Sequence, residues 1–282
     1  MVDIDDEEIN PFTNLLTEEE ETTIPNPFTT AQNNNQQLLQ NHFIRSIRST
    51  VIIRQLPSQG IAFQLWPAAT TLVSLLDTHR IDPTTSPLST VFASLNRPPR
   101  ILELGSGTGI VGIVAAATLG TNVTLTDLPH VVPNLKFNAE ANADVVVSNG
   151  GTVTFAPLRW GHDADVDLIG DEFDVVLASD VVYHDHLYDP LIETLRLMLI
   201  GKKIVFVMAH MKRWKKESMF FKKARKYFSI DVLHVDVPCN GSRVGVVVYR
   251  FVDKNDVNCK TFDIMSSTSE SSQSRNHTSE SE

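Results

Sequence analysis

The segment "VVLASDVVYHDH", Val175 to His186, brings Asp180, Tyr183, His184, Asp185 and His186 to the end of an apolar run. A carboxylate, a phenol and two imidazoles this close together have the chemistry for a metal site, a proton-transfer centre or a cradle for a charged substrate. Consecutive loop positions point in different directions, and no second His/Cys pair at ligand spacing accompanies them, so no metal is expected. His184 is the neighbour able to take a proton, and Asp185 reads as a helix-start residue.

A second constellation lies upstream in "ILELGSGTGIVG", residues 101–112. A short apolar strand delivers a glycine turn into a helix, so backbone N–H groups at the helix start can meet a polar or anionic ligand. The glycines fall at Gly105, Gly107 and Gly109. The nicotinamide fingerprint needs a third glycine where Ile110 stands, and no lysine follows to grip a phosphate. Glu103 would repel phosphate but suits a ligand carrying an ammonium or sulfonium group. Asp127 ends the next apolar run, where a carboxylate can accept both ribose hydroxyls. Together they describe a nucleoside ligand with cationic character, which S-adenosylmethionine fits.

The elements that carry these groups alternate strand and helix. Strands are expected in 100–104, 122–127, 151–160, 173–180 and 202–210, and helices in 109–120, from about Val132 to 142, and in 187–199. The strand runs are β-branched, apolar and short, as in parallel strands covered on both faces. The prediction is an α/β, Rossmann-like, doubly wound seven-stranded sheet, mostly parallel with an antiparallel last strand. Residues 214–228 read as an amphipathic helix with an apolar stripe at Phe221, Ala224 and Phe228 and a solvated lysine face. "IDVLHVDV" and "RVGVVVYRF" lie close enough in sequence to pair antiparallel. Ahead of the sheet, 42–78 suggests a small β-hairpin and a lead-in helix, an N-terminal cap.

The chain has 282 residues with a formal net charge of -10, but the acidity belongs to its ends. Residues 1–44 carry nine Asp/Glu and no Lys or Arg, and the body 45–265 is nearly neutral, which gives no whole-domain electrostatic case for nucleic acid. The acidic, Asn/Gln-rich residues 1–40 and the Ser-rich 254–282 read as disordered tails. Between them, 41–253 is one domain, with 41–80 as the cap and 98–253 as the core. Cys239 and Cys259 are too far apart for a CxxC pair, in keeping with a reducing compartment. No secretory leader is legible, and no run reaches the roughly 18 apolar residues of a membrane helix. A cytoplasmic, also nuclear, monomer is the expectation.

From about 42 to 252 the chain resembles the class I, seven-strand S-adenosylmethionine-dependent methyltransferases, and within them the family 16 group of methyltransferase-like protein-lysine methyltransferases. The resemblance rests on "LWPAA" (65–69), "ILELGSGTGIVGI" (101–113), "VTLTDLP" (123–129), "NLKFNAEAN" (134–142), "LRWG" (158–161) and "SDVVY" (179–183). It implies that Gly105, Ser106 and Gly107 line the methionine end of the cofactor and that Asp127 holds the ribose. It further implies that Trp160 packs near the adenine, Ser179 lies beneath the cofactor and Trp66 closes over it. The group's Asp-x-x-Tyr is matched by Asp180 and Tyr183, implying a catalytic pair that binds and orients a protein lysine. A base-amine methyltransferase would be expected to carry two prolines where Val181 and Val182 stand. A protein histidine or small-amine acceptor, and a catalytically silent cofactor-binding adaptor, stay open.

Overall fold

The computed structural model describes residues 37–238 and 245–256. Most of both predicted tails, and Cys239 and Cys259, lie outside these residues. A two-stranded hairpin, β1 (Leu38–Ile44) and β2 (Ser49–Gln55), leads into α1 (Pro67–Ile81) and the short α2 (Ser89–Phe92). The chain then alternates through β3 (Ile101–Leu104), α3 (Ile110–Leu119), β4 (Asn122–Asp127), α4 (Val132–Ala141), α5 (Ala143–Ser148), β5 (Thr152–Pro157), α6 (Asp163–Ile169) and β6 (Val175–Ser179). It ends with α7 (Tyr188–Leu199), β7 (Val205–Met211), α8 (Ser218–Ala224), β8 (Phe228–Val235) and β9 (Val246–Asp253).

The sheet order is β5-β4-β3-β6-β7-β9-β8, and β9 alone runs against its neighbours. This is the expected mostly parallel seven-stranded sheet with an antiparallel last strand. Alternate residues of the central strands feed two separate cores. Ile101, Val175 and Leu177 pack with α1, α3 and the hairpin, whereas Leu102, Leu104, Val176 and Ala178 pack with α7 and α8. Helix α3 is buried almost all round, the state of an apolar helix held between a sheet and a second helix. Its alanines let the chain approach α1 closely.

Two local readings are corrected. The hairpin starts at Leu38, so 38–40 belong to a strand and not to a tail. The 214–228 helix shrinks to α8, because Phe228 already opens β8, where it is 1% exposed in the core. The short helices α2, α5 and α6 had no strong periodic signal.

The hairpin is fastened by side chains that imitate a strand. Asn142 accepts from Ile52 N–H and donates to Ile52 C=O, both at 2.8 Å, and Asn138 does the same for Arg54 at 2.8 and 3.1 Å. Asn134 accepts from the Arg54 guanidinium at 2.9 Å. Four-residue spacing along helical chain puts these amides in a row, which accounts for the recurring Asn of "NLKFNAEAN". Buried Asp77 of α1 receives the hairpin turn through Ser46 N–H at 2.7 Å and Arg45 N–H at 3.2 Å.

Candidate functional site

The strand order reverses beside β3, whose neighbours β4 and β6 carry Asp127 and Asp180 at or just beyond their carboxyl ends. Open α/β sheets expose their ligand crevice at this place. The glycine turn leaving β3 has φ of +59° at Gly105 and +56° at Gly107, a left-handed backbone that glycine adopts without steric cost. A Cβ on Gly105 would lie 3.0 Å from Trp160 Cζ2 and from Val181 Cγ1. One on Gly107 would lie 3.0 Å from the Ala62 carbonyl oxygen. The turn is thus flanked by the indole wall after β5, by the loop after β6 and by the segment before α1.

Asp127 fixes this turn to β4. Its Oδ2 accepts from Gly107 N–H at 2.8 Å and its Oδ1 from Leu128 N–H at 2.7 Å. Burial pushes its carboxyl up, and those two N–H groups oppose the shift. Ser106 adds a second tie, its Oγ accepting from Thr126 N–H at 3.1 Å while its own N–H donates to Thr126 C=O at 2.9 Å. Glu103 is 1% exposed and turns beneath α3, where Oε2 accepts from Gly112 N–H at 2.9 Å. The other oxygen, Oε1, has no hydrogen-bond partner among the described residues. Burial is the main cause that pushes this carboxyl up to about 8. Gly112 leaves the room for it, since a Cβ there would stand 2.7 Å from Oε2. Gly112 had not been singled out; its backbone N–H supplies the bond and its missing side chain supplies the space.

Asp180 follows β6 at the crevice with φ of +53°, unusual for a non-glycine residue though tolerated by Asp. Its N–H donates to Ala209 C=O at 2.9 Å, and its Oδ1 accepts from Met211 N–H at 3.0 Å, so β7 fixes both backbone and side chain. Arg213 forms a fork on the same carboxylate, Nη1 to Oδ1 at 3.2 Å and Nη2 to Oδ2 at 3.0 Å. The guanidinium lies 5.2 Å over the Trp66 ring, whose Nε1–H donates to Ile61 C=O at 2.9 Å. Trp66 therefore reaches the surroundings of Asp180. Behind the pair, His210 Nε2 is 3.0 Å from Glu217 Oε2, and Arg213 N–H donates to that same oxygen at 3.0 Å.

Tyr183 is pushed up to about 12, mainly by burial, with a contribution from the Asp127 charge. Its ring centroid is 4.9 Å from that of His184, which stacks on His186 at 5.4 Å. Ser179 ends β6, half-buried. No group of three His, Cys, Asp or Glu side chains able to hold a metal occurs among the described residues.

Arg213, His210 and Glu217 were not anticipated. The segment "HMKRWKKE" (210–217) reads as a run of solvated cations, and Lys212, Lys215 and Lys216 are indeed exposed. The Arg213 side chain is 10% exposed and turned to Asp180. The available signal was an arginine amid lysines with a glutamate four residues on, which is weak.

The crevice has an indole wall at Trp160, a carboxylate at the end of β4, and a turn that lacks Cβ atoms at Gly105 and Gly107, features that suit a nucleoside. The chain is 31% identical over 193 residues to Protein N-lysine methyltransferase METTL21A of Danio rerio, an alignment covering 68% of this chain and 78% of that protein. It is 29% identical over 191 residues to EEF1A lysine methyltransferase 3 of Mus musculus, covering 68% and 72%. Among solved structures, precorrin-6y C5,15-methyltransferase from Geobacter metallireducens superposes with a TM-score of 0.42 at 15% identity, covering 66% of this chain and 87% of that one. The family model described as lysine methyltransferase matches residues 46–227, a span running from the hairpin through the glycine turn, Asp127, Asp180 and Arg213 to the end of α8. This chain belongs to the lysine methyltransferase family.

Proposed function

We propose that the protein transfers a methyl group from S-adenosylmethionine to a lysine side chain of a protein substrate, with Asp180 and Tyr183 as its acceptor-facing residues. The observation that carries this reading is the placement of Asp180 and Tyr183 after β6, across the end of β3 from Asp127 and beside the glycine turn. When bound, S-adenosylmethionine supplies a methyl on a positively charged sulfur, which departs as a neutral thioether. Gly105, Ser106 and Gly107 hold its methionine end, Asp127 the ribose hydroxyls, and Trp160 the adenine. Trp66 and Ser179 border the same space. Glu103, buried below the turn, supports it through the bond that it accepts from Gly112 N–H of α3.

A methyl acceptor presents a lone pair in line with the departing sulfur, so positioning carries most of the rate. Asp180 accepts a hydrogen bond from the amine and aims it, and Tyr183 faces the amine as an aromatic wall and through its hydroxyl, the part that Tyr183→Phe removes. The amine sheds its proton to water or to His184 before it attacks. The protein is proposed to act as a monomer in the cytoplasm or nucleus.

Incubation of the purified chain with methyl-labelled S-adenosylmethionine and cell extract should label a protein band in which the methyl maps to lysine. Label on histidine or on a small amine would overturn the acceptor, and the absence of any label would favour a silent adaptor. Asp180→Asn and Tyr183→Phe are each expected to slow transfer at least about tenfold, which is about 1.4 kcal/mol of transition-state stabilisation. Calorimetric affinity for S-adenosylmethionine should be nearly unchanged. Full activity in both variants would remove them from the acceptor site.

A further inference from the structure

We propose that Arg213 belongs to the acceptor site as a positioning residue: by occupying the Asp180 carboxylate it lets Asp180 orient the incoming lysine amine without holding it as a cation. The inference rests on the lysine reading above and adds a residue to it.

A lone carboxylate facing the acceptor would work against the reaction. The lysine amine has a reference pKa of about 10.4, and an opposite charge a few ångströms away favours its protonated, unreactive form by about 1–3 units. Asp180 is not alone. Arg213 meets both of its oxygens, at 3.2 and 3.0 Å, in the two-pronged geometry that a guanidinium holds and a lysine cannot. Oδ1 also accepts from Met211 N–H at 3.0 Å, whereas among the described residues Oδ2 has only the Arg213 donor. A carboxylate has about four lone-pair directions, so Oδ2 retains one for an amine hydrogen. That leaves an acceptor with direction but little net charge.

Arg213 is also built in. Its side chain is 10% exposed, its guanidinium lies 5.2 Å over the Trp66 ring, and Nη1 donates to Met211 C=O at 3.1 Å. Its backbone N–H is held by Glu217, a fully buried residue whose Oε2 lies 3.0 Å from His210 Nε2. The other nitrogen of His210, Nδ1, stands 3.8 Å from Asp180 Oδ1. The charged and titratable groups facing Asp180 are thus His210 and Arg213, with Glu217 behind them. Tyr183 and His184 follow β6, and Asp127 ends β4. Arg213 supplies the permanent positive charge in this set.

The test is the pH dependence of kcat, which reports the amine in the bound complex, measured between about pH 6 and 10 on the full chain with saturating S-adenosylmethionine and the extract protein that it labels. Arg213→Met should displace the rising limb to higher pH by about one unit, so that activity falls about tenfold near neutrality and recovers toward pH 10. Arg213→Lys should recover only part of the shift. The double variant Asp180→Asn with Arg213→Met, which removes both charges, should bring the limb back toward the wild-type position even if the maximal rate is lower. A uniform loss at every pH in Arg213→Met, with no return in the double variant, would assign Arg213 a purely structural role and overturn the proposal. Wild-type enzyme that labels histidine or a small amine would instead overturn the lysine reading, and this inference with it. Should Arg213→Met fail to fold, Arg213→Lys carries the test, and an unshifted limb in that variant is the overturning result.

Discussion

At the scale of single residues the crevice depends on atoms that are missing as much as on those present. Gly105 has a left-handed backbone, and its absent Cβ would meet Trp160 and Val181 at 3.0 Å. An alanine there costs roughly 1–2 kcal/mol in backbone conformation and also pushes the indole away from the turn. Gly105→Ala is therefore expected to weaken S-adenosylmethionine binding at least about tenfold by calorimetry, since 1.4 kcal/mol is a factor of ten. An unchanged Kd in a folded variant would place Gly105 outside the cofactor site. Asp180 shows the opposite arrangement, a residue whose meaning comes from company. Its carboxylate meets Met211, Arg213 and, more distantly, His210, and none of these is a sequence neighbour.

At the scale of elements, the hairpin is held to the domain by the asparagine row more than by sheet pairing, because among the described residues β2 pairs only with β1. Asn138 and Asn142 are 0% and 1% exposed, and each both donates to and accepts from the backbone of β2. Replacing either with alanine leaves one N–H and one C=O of the strand without that partner, a loss of about 1–3 kcal/mol. Urea unfolding of Asn138→Ala and Asn142→Ala should show lower midpoints with little change in slope. The hairpin leads through Ala62 and Trp66 to the crevice, so these variants should also raise the KM for S-adenosylmethionine. A midpoint equal to that of the wild type would mean that the hairpin is secured some other way.

Across the whole molecule, buried ionisable groups set how stability varies with pH in the cofactor-free protein. Glu103 has a folded pKa of about 8 against an ordinary 4.5, so between those values the folded chain holds a proton that the unfolded chain has lost, and stability falls as pH rises. Asp127, also raised by burial, acts in the same direction. His42 and His79 are lowered from 6.5 by burial, so the unfolded chain takes up protons first and stability is lost as pH falls below that value. Asp77 and Asp174, lowered by their hydrogen bonds, add a further loss as pH falls below 3.8. Thermal melts should therefore decline from about pH 6.5 to 8. Glu103→Gln keeps an acceptor for Gly112 N–H without the buried charge, and should flatten most of that decline. For a domain of this size the recovery is about 2–4 °C for each kcal/mol. A decline equal to that of the wild type in Glu103→Gln would assign it to other groups.

The sequence by itself determined what is encoded over a few residues. The apolar β-branched runs placed the central strands, Pro133 and Gly120 bounded their helices, and the glycine spacing argued against a nicotinamide or phosphate-gripping loop. Each of these follows from local sterics and periodicity, which the tertiary structure leaves in force. Only the tertiary structure decided the pairings made across long chain separations. Asn138 meets Arg54 from 84 residues away, and Arg213 meets Asp180 from 33. Those partners are fixed by β7 lying beside β6 and by α4 lying over the hairpin, and charge or amide patterning along the chain carries no record of either. The same reason explains why "KRWKKE" looked like a solvated run. One of its cations, Arg213, is aimed inward by the strand that precedes it, and it is the one that touches the Asp180 carboxylate.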